Sequence, residues 1–302
     1  MNSTSFGFLC VPLEASFPGL TLCLLPEYER KLTWITQSSN KDGFFYTPNT
    51  VTWRCDPATG ARLKRIPRSE RPAQSFHLPV SHEISLTSPI RDSGSIESDD
   101  SFLVQTLAFL FGTRLQIARW RFDGRIPIER QDSMWMDEAT AIHFLEHAYS
   151  WWRSLSDINR GRMVNILYSY TRALSMEWEW DAFPWQYMIF DAIWRLHRDI
   201  ECKKDAGIKH VDRIAHICLA FGTPCPKDSV DELVKARNDL FHEGLWMSHP
   251  VGFSPAGDGG IQLPKNLARL NARLICAITG YKNAFVQSGW DFMGWQQFDR
   301  MP

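Results

Sequence analysis

The sequence predicts an α+β protein: a small β-rich N-terminal domain over residues 1–90, a linker over 91–100, and an all-α bundle over 101–302. Three observations carry that division. Before residue 90 the apolar and aromatic residues come in short runs at 6–10, 20–25, 43–46 and 51–55, separated by Pro, Gly, Asn and Asp, which is the spacing of strands and turns. The stretch RDSGSIESDD at 91–100 is small, polar and acidic at its end. From Ser101 onward the apolar period lengthens to about 3.6 residues, the mark of amphipathic helices.

The elements follow in order. Asp99 and Asp100 close the linker and sit favourably at the positive end of the helix they precede. Helices are expected at 101–121, 137–154, 157–177, 184–203, 209–221, 227–243 and 264–286, with Gly, Pro and Asp breaks between them. Asp157 can cap its helix, Pro184 is tolerated in a first turn, and Pro226 followed by Lys-Asp opens another. The tryptophans at 151, 152, 178, 180, 185 and 194 are expected to pack the bundle or an interface between copies.

Composition removes several function classes. With 33 basic and 34 acidic residues the net charge is −1, so a strongly basic protein that coats nucleic acid is excluded and any such contact must be local. The seven cysteines are odd in number and include no C-x-x-C pair, which speaks against a disulfide framework or a zinc ribbon. No basic leader opens the chain, and the longest apolar stretch, at 102–111, is broken by Gln105. A cytoplasmic protein without a membrane partner is expected.

The segment with most chemical content is Val234-Lys235-Ala236-Arg237-Asn238-Asp239-Leu240-Phe241-His242-Glu243-Gly244, at the end of a predicted helix. Spacing by itself says little: with 23 Arg and 9 His in 302 residues, chance supplies roughly 0.7 Arg–His pairs at any one spacing. A second pair, Arg71 and His77, lies in a loop-like RPAQSFH and is read as such a match. Context distinguishes Arg237: Asn238 follows it, Val234 and Leu240 face a core, and Gly244 stands where a helix ends in a left-handed residue. An imidazole can exchange a proton with a ribose hydroxyl or a leaving 5′-oxygen, and a guanidinium fork can hold the phosphate between them. RNA supplies its own nucleophile, so no metal or cofactor is expected. Five residues at about 100° each, however, put Arg237 and His242 about 140° apart on an ideal helix, so a distorted helix end or a second copy is needed to bring them together.

This arrangement resembles the R-N-x-x-x-H motif of HEPN domains, and the upstream run DRIAHICLAFGTPCPKDSVDELVKARNDLFHEG is similar to the Apea-type HEPN pattern. The resemblance is best over residues 183–244. It implies a helical bundle acting as a metal-independent endoribonuclease, with Arg237, Asn238 and His242 as catalytic residues; Asp239 and Glu243, beside them in sequence, are expected from their charge to tune the imidazole. It also implies a homodimer with a composite cleft and a role in bacterial anti-phage defence, abortive infection or toxicity, controlled by an antitoxin or a phage-derived trigger. HEPN bundles of this type often carry an acid on the helix before the motif; Asp191 is the candidate, although Trp194 occupies a position where the acid is expected. The alternative is a catalytically inactive HEPN that binds RNA or a partner.

A second signal is His143-Phe144-Leu145-Glu146-His147, formally H-x-x-E-H, in which two histidines four apart share a helix face and Glu146 stands as a base for zinc chemistry. Isolated acids such as Glu201 or Glu232 are the third ligands on offer, and a histidine pair among aromatics is the plainer reading. His210 and His216, six apart, read as structural. Two basic stretches can guide RNA: 61–71, and 114–130, where Arg114, Arg119 and Arg121 interleave with Trp120 and Phe122. No P-loop, G-x-S-x-G or G-x-G-x-x-G occurs.

Overall fold

Alternation of buried and exposed side chains makes the first part of the chain a sheet. In the computed structural model, which describes residues 2–46, 53–56, 59, 61–65, 67, 75–91, 95, 97–118, 120–128, 134–202, 207–252, 262–291 and 296–298, strands β1 (Asn2–Gly7), β2 (Ala15–Phe17) and β3 (Leu20–Leu24) are followed by helix α1 (Tyr28–Ser38). Short strands β4 (Phe44–Phe45), β5 (Trp53–Cys55), β6 (Arg62–Arg65) and β7 (Ser75–Phe76) lead to β8 (His82–Leu86). Leu20 and Leu22 on β3 pair with Leu86 and Ile84 on β8, and all four are buried, so one face of the sheet is apolar.

Beyond the sheet, α2 (Asp99–Leu110) is followed by β9 (Gln116–Ile117), β10 (Phe122–Asp123), β11 (Ile126–Pro127) and β12 (Met134–Trp135). The bundle helices are α3 (Glu138–Arg153), α4 (Asp157–Ala173), α5 (Glu179–Ile200), α6 (His210–Phe221) and α7 (Lys227–Asn238). Then come β13 (Leu245–Trp246), β14 (His249–Pro250), α8 (Gln262–Ile278) and β15 (Gln296–Gln297). Helix α5 packs most extensively on α4 and α8, and α2 lies against α4 and α3. The architecture is α+β. No helix among the described residues is long and apolar enough to cross a membrane.

The division near residue 91 does not separate two cores. Strand β9, from beyond the linker, completes a five-stranded sheet of order β2-β3-β8-β1-β9, pairing Phe6 with Ile117. One apolar cluster runs from Phe6, Leu20 and Ile84 through Phe102 and Trp152 to Ile193 and Leu274. Helix α2 lies in the middle of it with every residue buried, including the polar Asp99, Asp100, Ser101, Gln105 and Thr106. The described residues of 91–100 are pinned as well: Arg91 bridges Glu97 and Asp157, while Asp99 accepts hydrogen bonds from Tyr149 Oη at 2.7 Å and from the Ile90 and Arg91 amides at 2.9 and 3.2 Å. Thr4 Oγ1 on β1 donates to Asp100 of α2 at 2.9 Å.

Other boundaries also differ from the sequence reading. The first bundle helix, expected at 101–121, stops at Leu110, because Gly112 turns the chain with φ 60° and 116–117 is captured by the sheet. The last helix stops at Ile278 rather than 286, before Gly280 at φ 76°. Helix α1 falls inside the region read as strands, and it covers a second, smaller cluster around Phe8, Phe45 and Phe122. Of the tryptophans assigned to packing, Trp152 and Trp194 are fully buried, whereas Trp178 is 54% exposed and stacks on Trp180.

Candidate active site

Helix α7 is held by Val230, Leu233 and Ala236 on its buried face, with Val234 packed beside them. The helix predicted to run unbroken to 243 changes character after Asn238. Residues Asp239–Glu243 form one wide π-turn, hydrogen-bonded i→i+5, which ends at Gly244 in the left-handed region with φ 67° and its amide on the Asp239 carbonyl. The chain then leaves through Leu245 and Trp246, and Trp246 is buried against Phe183 with ring centroids 5.4 Å apart.

The wide turn answers the 140° problem. Its i→i+5 geometry stacks residues five apart, and Arg237 Nη1 donates to His242 Nε2 at 3.0 Å. Arginine has no acceptor, so Nε2 supplies the lone pair of this contact. The same Nη1 donates to Asn238 Oδ1 at 3.0 Å, and the guanidinium lies 5.5 Å from the centre of the Phe241 ring. One chain thus assembles the Arg–Asn–His set, and the geometric need for a second copy to bring Arg237 to His242 disappears. Asn238, Phe241 and His242 are exposed and Arg237 is half-buried.

Behind Arg237 lies a polar cluster formed by α5 and α6. Asp191 Oδ1 is 3.4 Å from Arg213 Nη1 and 3.8 Å from His210 Nδ1. Burial pushes the Asp191 carboxyl above its ordinary value, against the opposing pull of His210, Arg213 and Arg237. Burial also pushes His210 down, opposed by Asp191 and reinforced by Arg237 and Arg213, and it pushes the Tyr187 hydroxyl up. Tyr187 Oη and His210 Nδ1 are buried without a hydrogen-bond partner among the described residues. Asp191 is therefore within electrostatic reach of Arg237, while Trp194, at the alternative position for the acid, is a buried core residue. Tyr187, His210, Arg213 and Phe241 were not read from the sequence as site residues. For Phe241 a signal existed, an aromatic four residues after an arginine on one helix face.

The remaining candidates lie elsewhere. Neither Asp239 nor Glu243 hydrogen-bonds to the His242 ring among the described residues. Arg114 is 5% exposed and committed to Asp123, donating to its carbonyl at 2.8 Å and its carboxylate at 3.0 Å, so it braces a turn and is not placed to receive RNA. Arg119 lies outside the described residues, as do Arg68 and Arg71 of the other basic stretch. Arg121 is exposed and, with Trp120 and Tyr168, lines a cavity of 380 Å³ whose walls include no residue of α5, α6 or α7.

The H-x-x-E-H segment is occupied with packing. His143 Nδ1 meets the Tyr281 hydroxyl at 2.9 Å and His147 Nε2 donates to the Thr279 carbonyl at 2.8 Å. These contacts point the two rings at the end of α8, and no third ligand joins them and Glu146 among the described residues. Comparison of the chain with protein-family models, curated proteins and solved structures finds no match.

Proposed function

We propose that the chain is a HEPN-like, metal-independent endoribonuclease whose reacting groups are Arg237 and His242. The observation that carries this reading is the 3.0 Å approach of Arg237 Nη1 to His242 Nε2, produced by the π-turn on an exposed surface. π-turns inside helices interrupt regular packing and are found at functional sites. Here the interruption gives two chemically complementary side chains a common direction.

The chemistry follows from the atoms present. His242 Nε2 takes the proton of a ribose 2′-hydroxyl, the 2′-oxygen attacks the adjacent phosphorus, and the bond to the 5′-oxygen breaks. The products are a 2′,3′-cyclic phosphate and a 5′-hydroxyl. Arg237 exchanges its contact with the imidazole for the phosphate oxygens and holds the charge that develops there. Asn238 keeps the guanidinium in place through its Oδ1. Phe241 offers a ring on which a flanking base can stack. One imidazole cannot be base and acid in the same step, so a second copy of the motif in a homodimer supplies the proton for the leaving oxygen. The role in defence or toxicity is proposed with the family reading.

Incubation of purified protein with mixed tRNA and mRNA in excess EDTA, beside His242→Ala, tests the reading. Cleavage leaving 2′,3′-cyclic ends in the wild type and none in the variant is the expected result. RNA bound without cleavage by both proteins would assign the surface to binding alone.

A further inference from the structure

Away from the Arg237–His242 pair, three side chains with metal-ligand chemistry converge: His197 and Glu201 at the end of α5, and His216 on α6. One donor atom from each lies within 4.8 Å of the others. His197 and Glu201, four residues apart, share a helix face, and His197 Nε2 is 3.4 Å from Glu201 Oε2. A tetrahedral ion with bonds of about 2.0–2.1 Å holds its ligand atoms about 3.4 Å apart, so one pair already has that separation. The remaining gap is a side-chain adjustment at His216, which is exposed.

The surroundings orient these donors. The Phe221 ring meets His197 edge-on with centroids 5.0 Å apart, and Trp194 meets His216 edge-on at 5.5 Å. Arg198 Nη1 is 3.6 Å from the same Glu201 oxygen, and its guanidinium lies 5.4 Å from the Trp194 ring. Outer partners of this kind limit the orientations open to the Glu201 carboxylate. The ligand types choose the ion: two imidazoles and one carboxylate favour zinc and its neighbours over magnesium or calcium, which take oxygen donors.

We propose that His197, Glu201 and His216 bind a zinc-class ion that fastens the end of α5 to α6, with water in the fourth position. The proposal stands apart from the ribonuclease reading, since none of these three side chains belongs to the Arg237–His242 pair.

The test uses the full chain, stripped with EDTA and desalted, then titrated with Zn²⁺ against a chromophoric chelator and, in parallel, with Co²⁺ followed by visible absorption. The expected result is one equivalent of Zn²⁺ per chain, with His216→Ala and Glu201→Gln each weakening binding at least about tenfold. A Zn²⁺-dependent rise in Tm of about 3 °C or more is expected in the wild type and absent in both variants. The double variant His143→Ala/His147→Ala keeps its full equivalent of Zn²⁺. His216 is exposed, so its replacement leaves the fold intact, which circular dichroism checks. Failure of the wild type to compete for micromolar Zn²⁺, or binding that survives both His216→Ala and Glu201→Gln, overturns the proposal.

Discussion

Two regions of the molecule treat polar side chains in opposite ways. In α2, Asp99 is completely buried, and its carboxylate is bound by a tyrosine hydroxyl and two backbone amides. At the end of α7, Arg237, Asn238 and His242 stand at the surface and hydrogen-bond to one another. A polar group in the interior needs fixed partners because leaving it bare is expensive, and those partners belong to the fold. A surface group whose partner is another surface group can exchange that contact for a ligand. Polarity that supports folding and polarity available for chemistry are thus distinguished by burial, not by residue type.

The contrast is sharpest where each region loses one side chain. Replacing His242 by Ala is expected to lower RNA cleavage by about 10²–10⁴-fold, the usual contribution of a general base, while Tm stays within a degree or two. Replacing Trp152, fully buried and stacked on Phe102 at 4.8 Å, by Ala is expected to cost about 3–5 kcal/mol in urea unfolding. A His242 variant that melts far below the wild type would instead make the motif part of the fold.

Acid supplies the next test. His82 is fully buried on β8 beside Ser81, and burial holds its imidazole down at about 4, only partly offset by a hydrogen bond involving the Val11 backbone. The folded state therefore takes up this proton less readily than the unfolded chain, whose histidines titrate near 6.5. Stability from this group is fully present above about 6.5 and is lost as pH falls toward 4, a loss of about 3 kcal/mol. Urea unfolding at steps from pH 7 to 4 should show the decline, and His82→Gln should flatten it. The smallest effect is expected at Phe241: replacement by Ala should weaken RNA binding by about 1–3 kcal/mol, measured by filter retention, without altering the cleaved ends.

The sequence made the bundle legible because the helical period is strong wherever a helix has one wet face. It hid α1, although Tyr28, Leu32 and Ile35 recur at i, i+4 and i+7, because only two residues of that helix are buried and the surrounding Pro and Gly turns suggest strands. It also concealed the shared core, since nothing local shows that Gln116 and Ile117 return to pair with β1. For the candidate site, Arg237, Asn238 and His242 were readable as a motif, but their convergence depends on one π-turn that no periodicity predicts. The candidate metal ligands show the same limit from the other side. His143 and His147 have the right spacing and are held by Tyr281 and Thr279, whereas His197, Glu201 and His216 come together only because α5 and α6 pack side by side.

A double-mutant cycle of RNA cleavage in EDTA reads whether the π-turn joins Arg237 and His242 into one catalytic unit. Arg237→Ala and His242→Ala are each expected to abolish most of the activity, with the double variant no slower than the worse single one. Losses that multiply in the double variant, or a wild type that leaves RNA intact, would contradict a single catalytic unit.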